Sequence, residues 1–186
     1  MRRFHVVFIA CALALMLMVA AAAQSAPTKV VQQDEFSIIG IDGRTSGEKE
    51  MSAGGIIPGM WQKFYMEGII DKIPNKADER LYAVYTDFAA DRKGEYTVVI
   101  GARVKEKTQP PAGMVLKTIP SGKYAVMSSE KGTVYEVIPA AWMKIAALED
   151  KDQLGGKRAY KADYEVYPSA AIDPQSAQAD LYVSLK

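Results

Sequence analysis

Histidine and cysteine are nearly absent from this chain. Its 186 residues hold one of each, His5 and Cys11, and both fall in the first 23 positions. That opening stretch has the layout of a secretory signal peptide. Arg2 and Arg3 give a positive start, Val6 to Ala23 is apolar and uncharged, and Ala21-Ala22-Ala23 offers a small-residue cleavage site. Residues 1–23 are therefore expected to be a leader for a periplasmic or secreted protein. The apolar run is long for such a leader, so an uncleaved membrane anchor is the alternative. After cleavage no stable membrane insertion is expected.

Loss of the leader also removes every histidine and cysteine. The remaining chain excludes a disulfide framework, a zinc site of the usual ligands, a Ser-His-Asp or Cys-His nucleophile and a histidine-ligated haem. No metal and no cofactor are expected. Any chemistry falls to carboxylates, tyrosines, lysines and backbone groups. A charge excess is lacking too. The formal net charge is +1 for the whole chain, and without Arg2 and Arg3 it is −1, from 21 basic against 22 acidic residues. There is no basic field to attract nucleic acid.

What is present is a phrase used twice. Ile57-Pro58-Gly59-Met60-Trp61-Gln62-Lys63 is answered by Ile138-Pro139-Ala140-Ala141-Trp142-Met143-Lys144. Tyr82-Ala83-Val84-Tyr85 is answered, in the same order, by Tyr164-Glu165-Val166-Tyr167. Two matches at nearly one offset predict a duplicated unit. Residues 24–35 read as a polar tether. The repeat halves then cover about 36–107 and 113–186, separated by the linker Thr108-Gln109-Pro110-Pro111-Ala112-Gly113.

Each half reads as strand, helix, strand, strand. Phe36 to Ile41 predicts a strand closed by Asp42-Gly43. A helical pattern through Ile57, Trp61 and Phe64 follows. Arg80–Thr86 and Glu95–Lys105 predict a hairpin across a polar turn. In the second half, Val134, Val137, Ile138, Ala141, Trp142, Ile145 and Leu148 give an amphipathic helix, with Pro139 marking its start or a bend. Ala159–Tyr167 and Asp180–Leu185 predict strands. The fold class is α+β: a duplicated β-α-β-β unit forming an antiparallel sheet, two main helices on one face and a ligand cleft on the other.

Strand alternation groups Tyr82 and Val84 with Tyr164 and Val166, and groups Ala83 and Tyr85 with Glu165 and Tyr167. The first, more apolar set is expected under the helices, and the second on the open face. Glu165 then has two readings. It is a solvated carboxylate on an exposed strand, or the acid at the floor of an aromatic cleft, where rings and an anion together favour an organic cation. Trp61 and Trp142 are likewise core residues or cleft walls.

The ordered elements Ile39-Gly40-Ile41, Ile57-x-x-x-Trp61, Tyr82-Ala83-Val84-Tyr85-Thr86-Asp87, Gly94-x-Tyr96-Thr97, Ile100-Gly101-x-x-Val104, Ile119-Pro120-x-Gly122-x-Tyr124-Ala125-Val126, Trp142-x-x-Ile145 and Arg158-x-Tyr160-x-x-Asp163-Tyr164-Glu165-x-Tyr167 together resemble the GyrI-like small-molecule-binding family, the effector-binding domain of AraC-type regulators. The resemblance runs from about Phe36 to Leu185. It implies a cleft between the halves for a hydrophobic, often cationic, small molecule. Glu165 falls on the family's carboxylate, with Tyr167, Tyr85, Trp61, Tyr124 and Trp142 as its aromatic partners. Many relatives carry a helix-turn-helix domain, for which this chain leaves no room, so no nucleic-acid partner is expected. The alternative function is hydrolysis of a strained electrophile, with Glu165 as general base and Tyr167 as proton donor.

Overall fold

A computed structural model describes residues 29–169 and 172–186; the leader expected at 1–23 lies outside them. The strands are β1 (Lys29–Gln33), β2 (Phe36–Ser46), β3 (Leu81–Thr86), β4 (Glu95–Val104), β5 (Val115–Ile119), β6 (Gly122–Ser128), β7 (Ala162–Tyr167) and β8 (Asp180–Ser184). The helices are α1 (Gly47–Glu50), α2 (Ile57–Met66), α3 (Ile69–Lys72) and α4 (Val134–Asp150). The α+β class and the expected order hold: β2-α2-β3-β4 in one half and β6-α4-β7-β8 in the other. All pairings are antiparallel, in one sheet of order β1-β6-β8-β7-β3-β4-β2-β5.

This order forces the sheet to curl. Only Asp34-Glu35 separates β1 from β2, which stand first and seventh in the sheet. Six flat strand spacings would put them about 29 Å apart, and three chain steps reach about 11 Å. Pro120-Ser121 imposes the same closure between β5 and β6. The edge strand of each half thus seals the other half, β1 on β6 and β5 on β2. Residues 29–33 are accordingly not a tether. Val30 and Val31 lie in an edge strand registered on Ala125 and Tyr124.

Curling creates two cores. Inside the curl, Phe36, Ile38, Tyr82, Val84, Val99, Ile119, Tyr124 and Tyr164 pack without help from any helix. The outer face carries the helices over Ile39, Ile41, Val98, Ile100, Leu181 and Val183, with Phe64 of α2 and Ile138 and Ile145 of α4 laid on them. The expected assignment of faces is therefore reversed. The alternation stands, but Tyr82, Val84, Tyr164 and Val166 fill the curl, while Ala83, Tyr85, Glu165 and Tyr167 lie beneath the helices. A face expected to be open is closed by the sheet itself.

Local chemistry explains where the elements begin and end. Strand β2 runs through the expected Asp42-Gly43 turn. A Cβ on Gly43 would lie 2.7 Å from Ile56 Cδ1 and 3.0 Å from Met60 Sδ, so the glycine is the seat on which α2 rests. Glu50 caps α2, accepting from the Ile56 and Ile57 amides at 2.9 and 3.2 Å, an acid at the positive end of a helix. The helical run breaks at Gly68, whose φ of 57° suits glycine. In α4, Pro139 sits inside the helix. It leaves the Tyr135 carbonyl without an amide, and both residues are exposed, so solvent is at hand. The strand expected from Ala159 starts only at Ala162, because Tyr160 adopts φ 53°.

Candidate functional site

Strands β3 and β7 meet at the middle of the sheet with Ala83 directly opposite Glu165, flanked by Leu81 opposite Tyr167 and Tyr85 opposite Asp163. Ala83 and Glu165 are also counterparts in the doubled phrase. A local two-fold relation between the halves therefore passes between them, and the single acid stands on it.

Glu165 is 1 % exposed. Tyr85 Oη donates to its Oε1 at 2.6 Å, the Trp142 indole Nε1 donates to the same oxygen at 2.6 Å, and Tyr167 Oη donates to Oε2 at 2.7 Å. The two tyrosines are counterparts from the two halves, and they grip the two oxygens of one carboxylate. All three donors are neutral. Burial pushes the Glu165 pKa up, against the downward pull of the hydrogen bonds. Burial and the nearby carboxylate push the Tyr85 and Tyr167 hydroxyls up as well, which keeps them protonated as donors.

Aromatic rings surround this acid. Trp142 meets the Tyr85 ring edge-on at 5.1 Å, and Trp61 meets Tyr167 edge-on at 5.5 Å. Trp61 also stacks on Tyr65 at 6.0 Å, with 20° between the planes. Both tryptophans are half-buried, so the helices present them as walls resting on the core.

Of the residues singled out from sequence, the structure brings Glu165, Tyr167, Tyr85, Trp61 and Trp142 together. It separates Tyr124, which lies inside the curl, packs on Tyr164 at 5.4 Å and donates to the Pro120 carbonyl. Alternation along β6 is the reason: Tyr124 pairs with Ser184 and points to the same side as Tyr164.

Sequence reasoning missed the support behind Trp142. Arg158 is buried and donates through Nε and Nη2 to Asp163 Oδ2, at 3.0 and 2.8 Å, and through Nη1 to Glu149 of α4 at 3.1 Å. Asp163 Oδ1 accepts from the amide and hydroxyl of Ser184. Tyr160 donates to the other oxygen of Glu149 at 2.6 Å. The sequence does carry a signal for it: Arg158, Tyr160 and Asp163 belong to the same ordered stretch as Glu165. Tyr65 and Tyr96 also went unassigned. Among the described residues no three His, Cys, Asp or Glu side chains gather as metal ligands, and no helix is long and apolar enough to cross a membrane.

Fold and site together define a class of protein: a doubled β-α-β-β domain with one buried carboxylate between aromatic walls. The model of the integron-associated effector-binding protein family, Cass2, matches residues 29–185, and the chain belongs to that family. It is 28 % identical to YobU of Bacillus subtilis (strain 168), named for transcriptional regulation, over 79 % of this chain and 90 % of YobU. It is also 28 % identical to the transcriptional regulator BrlR of Pseudomonas aeruginosa (strain PAO1), over 84 % of this chain, and spans 54 % of BrlR's length. The integron cassette protein VCH_CASS2 of Vibrio cholerae shares the fold with a TM-score of 0.69 at 23 % identity, over 87 % of this chain and 97 % of that one. SAV2435, solved bound to tetraphenylphosphonium, shares it with a TM-score of 0.70 at 18 % identity, over 86 % and 93 %.

Proposed function

We propose that this effector-binding protein takes a hydrophobic organic cation into the cleft between its halves, with Glu165 as the counter-charge and Trp61, Trp142, Tyr85 and Tyr167 as the walls. The observation that carries the reading is the state of Glu165. Burying an ionised carboxylate is costly unless a positive charge answers it, and among the described residues only neutral donors reach it. Three hydrogen bonds hold both oxygens in place but supply no charge. A ligand with a delocalised positive charge would supply it, and its apolar substituents would gain the aromatic surface. The tetraphenylphosphonium bound by SAV2435 is a molecule of that chemistry.

In this arrangement the carboxylate is covered, so the walls must part to admit a ligand. On the α2 side Trp61 is half-buried and Tyr65 exposed, so that wall has room to move. The test is calorimetric titration with tetraphenylphosphonium. Wild-type protein is expected to bind it, and Glu165→Gln to lose at least tenfold in affinity. Unchanged affinity in that variant would show that the acid is not the counter-charge. We further read residues 1–23 as an export leader, which places the encounter outside the cytoplasm. N-terminal sequencing of the protein from fractionated cells checks this, and an intact Met1 in the cytoplasmic fraction refutes it.

A further inference from the structure

The two halves of the cleft differ in a way the doubled phrase does not show. On the α4 side, rings and one cation close a circuit. Tyr85 touches Trp142 at 5.1 Å and Tyr96 at 5.7 Å; Tyr96 touches Phe88 at 5.7 Å; Phe88 touches Tyr160 at 5.5 Å. Arg158 completes it, its guanidinium 4.5 Å from the Tyr160 centroid and 6.0 Å from that of Trp142. On the α2 side the rings are present without such a partner. Trp61, Tyr65, Phe64 and Tyr167 stack and tilt on one another. Among the described residues every cation–ring contact lies elsewhere.

The carboxylate repeats this asymmetry. Oε1, on the Trp142 side, accepts two hydrogen bonds, while Oε2 accepts one, from Tyr167. A carboxylate oxygen has room for about two donors. Trp142 donates to Glu165, whereas its counterpart Trp61 donates to no described residue and instead lies flat against Tyr65. The α4 half is also held rigidly. Arg158 is fixed at both ends by Asp163 and Glu149, and Tyr160 is kept in a left-handed backbone conformation, φ 53°, that a tyrosine adopts only when its surroundings impose it.

We propose that Arg158 is the selectivity residue of the cleft. Its guanidinium takes the aromatic seat of the α4 half, so the cleft admits a ligand with one positive charge and holds it on the α2 half, over Trp61 and Tyr65 and against Glu165 Oε2. A second ligand charge reaching toward Trp142 finds that ring already engaged by the guanidinium, whose own charge is answered by Asp163 and Glu149. Arg158 thus acts on the ligand through occupancy of the aromatic seat. The inference rests on the cation-binding reading above.

The test compares two probes, tetraphenylphosphonium and an ethylene-bridged bis(triphenylphosphonium) dication. Wild-type protein is expected to prefer the monocation at least tenfold. The triple variant Glu149→Gln/Arg158→Met/Asp163→Asn removes the guanidinium together with both of its counter-charges, and should narrow that preference to within threefold. Trp61→Ala and Tyr65→Ala should each weaken the monocation roughly twofold to thirtyfold, the range of a cation–ring contact. A second measurement needs no change at Arg158. The chain has two tryptophans, so Trp142→Phe leaves Trp61 as sole reporter and Trp61→Phe leaves Trp142. Saturating monocation should alter Trp61 emission strongly and Trp142 emission little. The reverse pattern, or a folded triple variant with an unchanged preference, overturns the assignment. A wild-type protein that binds both probes equally overturns the role of Arg158 and leaves cation binding standing. One that binds neither overturns both.

Discussion

The two faces of the central strands use the same residue types for opposite ends. Inside the curl, Tyr164 stacks on Tyr182 at 4.6 Å and meets Phe36 and Tyr124 edge-on at 5.4 Å each. Every ring there has a ring or an aliphatic side chain as its neighbour, and the acids stay at the rim, as Asp78 does where Tyr82 donates to it. Under the helices, the alternate residues of the same strands place Tyr85 and Tyr167 around an acid at the centre. A tyrosine in the curl packs as a hydrophobic body and turns any hydroxyl bond outward, as Tyr82 does to Asp78 and Tyr124 to the Pro120 carbonyl. A tyrosine beneath the helices serves as a hydrogen-bond donor that fixes a carboxylate. One face is finished by its own packing, and the other holds an acid whose three hydrogen-bond donors are all neutral.

Breaking the inner face gives the largest expected effect. Tyr164 is 2 % exposed, and Tyr164→Ala should cost about 3–5 kcal/mol of unfolding free energy, the range for removing a buried aromatic ring. Denaturant unfolding measures this. Cation affinity, titrated below the transition, should stay within about twofold of wild type. A collapse of affinity in a variant that is still folded would mean that the two faces are not separable.

Much of this division was legible in the sequence, and the missing part has a physical cause. Alternation sorted Tyr82, Val84, Tyr164 and Val166 from Ala83, Tyr85, Glu165 and Tyr167 correctly. It then assigned the more apolar set to the helices, as it must when a helix pair is the only cover in view. The second cover is the sheet itself. Its closure depends on β1 pairing with β6 and β5 with β2, and neither five-residue strand states its partner. Tyr124 was misplaced for the same reason, since its face follows from the β6–β8 register. The Arg158 network was out of reach because it joins α4, the loop before β7, and β8 in space. Glu165 was singled out because the doubled phrase differs there.

Glu165 sharpens the comparison through pH. Its folded pKa lies above the ordinary carboxylate value. Between roughly 4.3, where an unfolded glutamate titrates, and that raised value, the folded state holds more protons than the unfolded. Its stability therefore falls as pH rises through this window and is flat above it. A cation prefers the ionised acid, so its affinity should move the other way, increasing up to about tenfold per pH unit across the same window and then levelling. Titration calorimetry from pH 4 to 8 measures the slope, and the Glu165→Gln variant should bind weakly with none.

The smallest effect is the most diagnostic. In Glu165→Gln the new carbonyl can stand at the Oε1 position and accept from Tyr85 and Trp142, while the amide faces Tyr167 Oη, which can turn to accept. Trp142 fixes this orientation, since an indole N–H can only donate. Every buried polar atom keeps a partner, so the variant should lie within about 1 kcal/mol of wild type. The sign carries the information. If the carboxylate is unanswered in the free protein, the variant is the more stable one at pH 7, and its advantage shrinks towards pH 4 as Glu165 takes up its proton. Thermal melts of the two proteins across that range decide the matter. A wild-type advantage that widens with pH would mean that the charge is already balanced within the fold, and the case for a cationic ligand would lose its foundation.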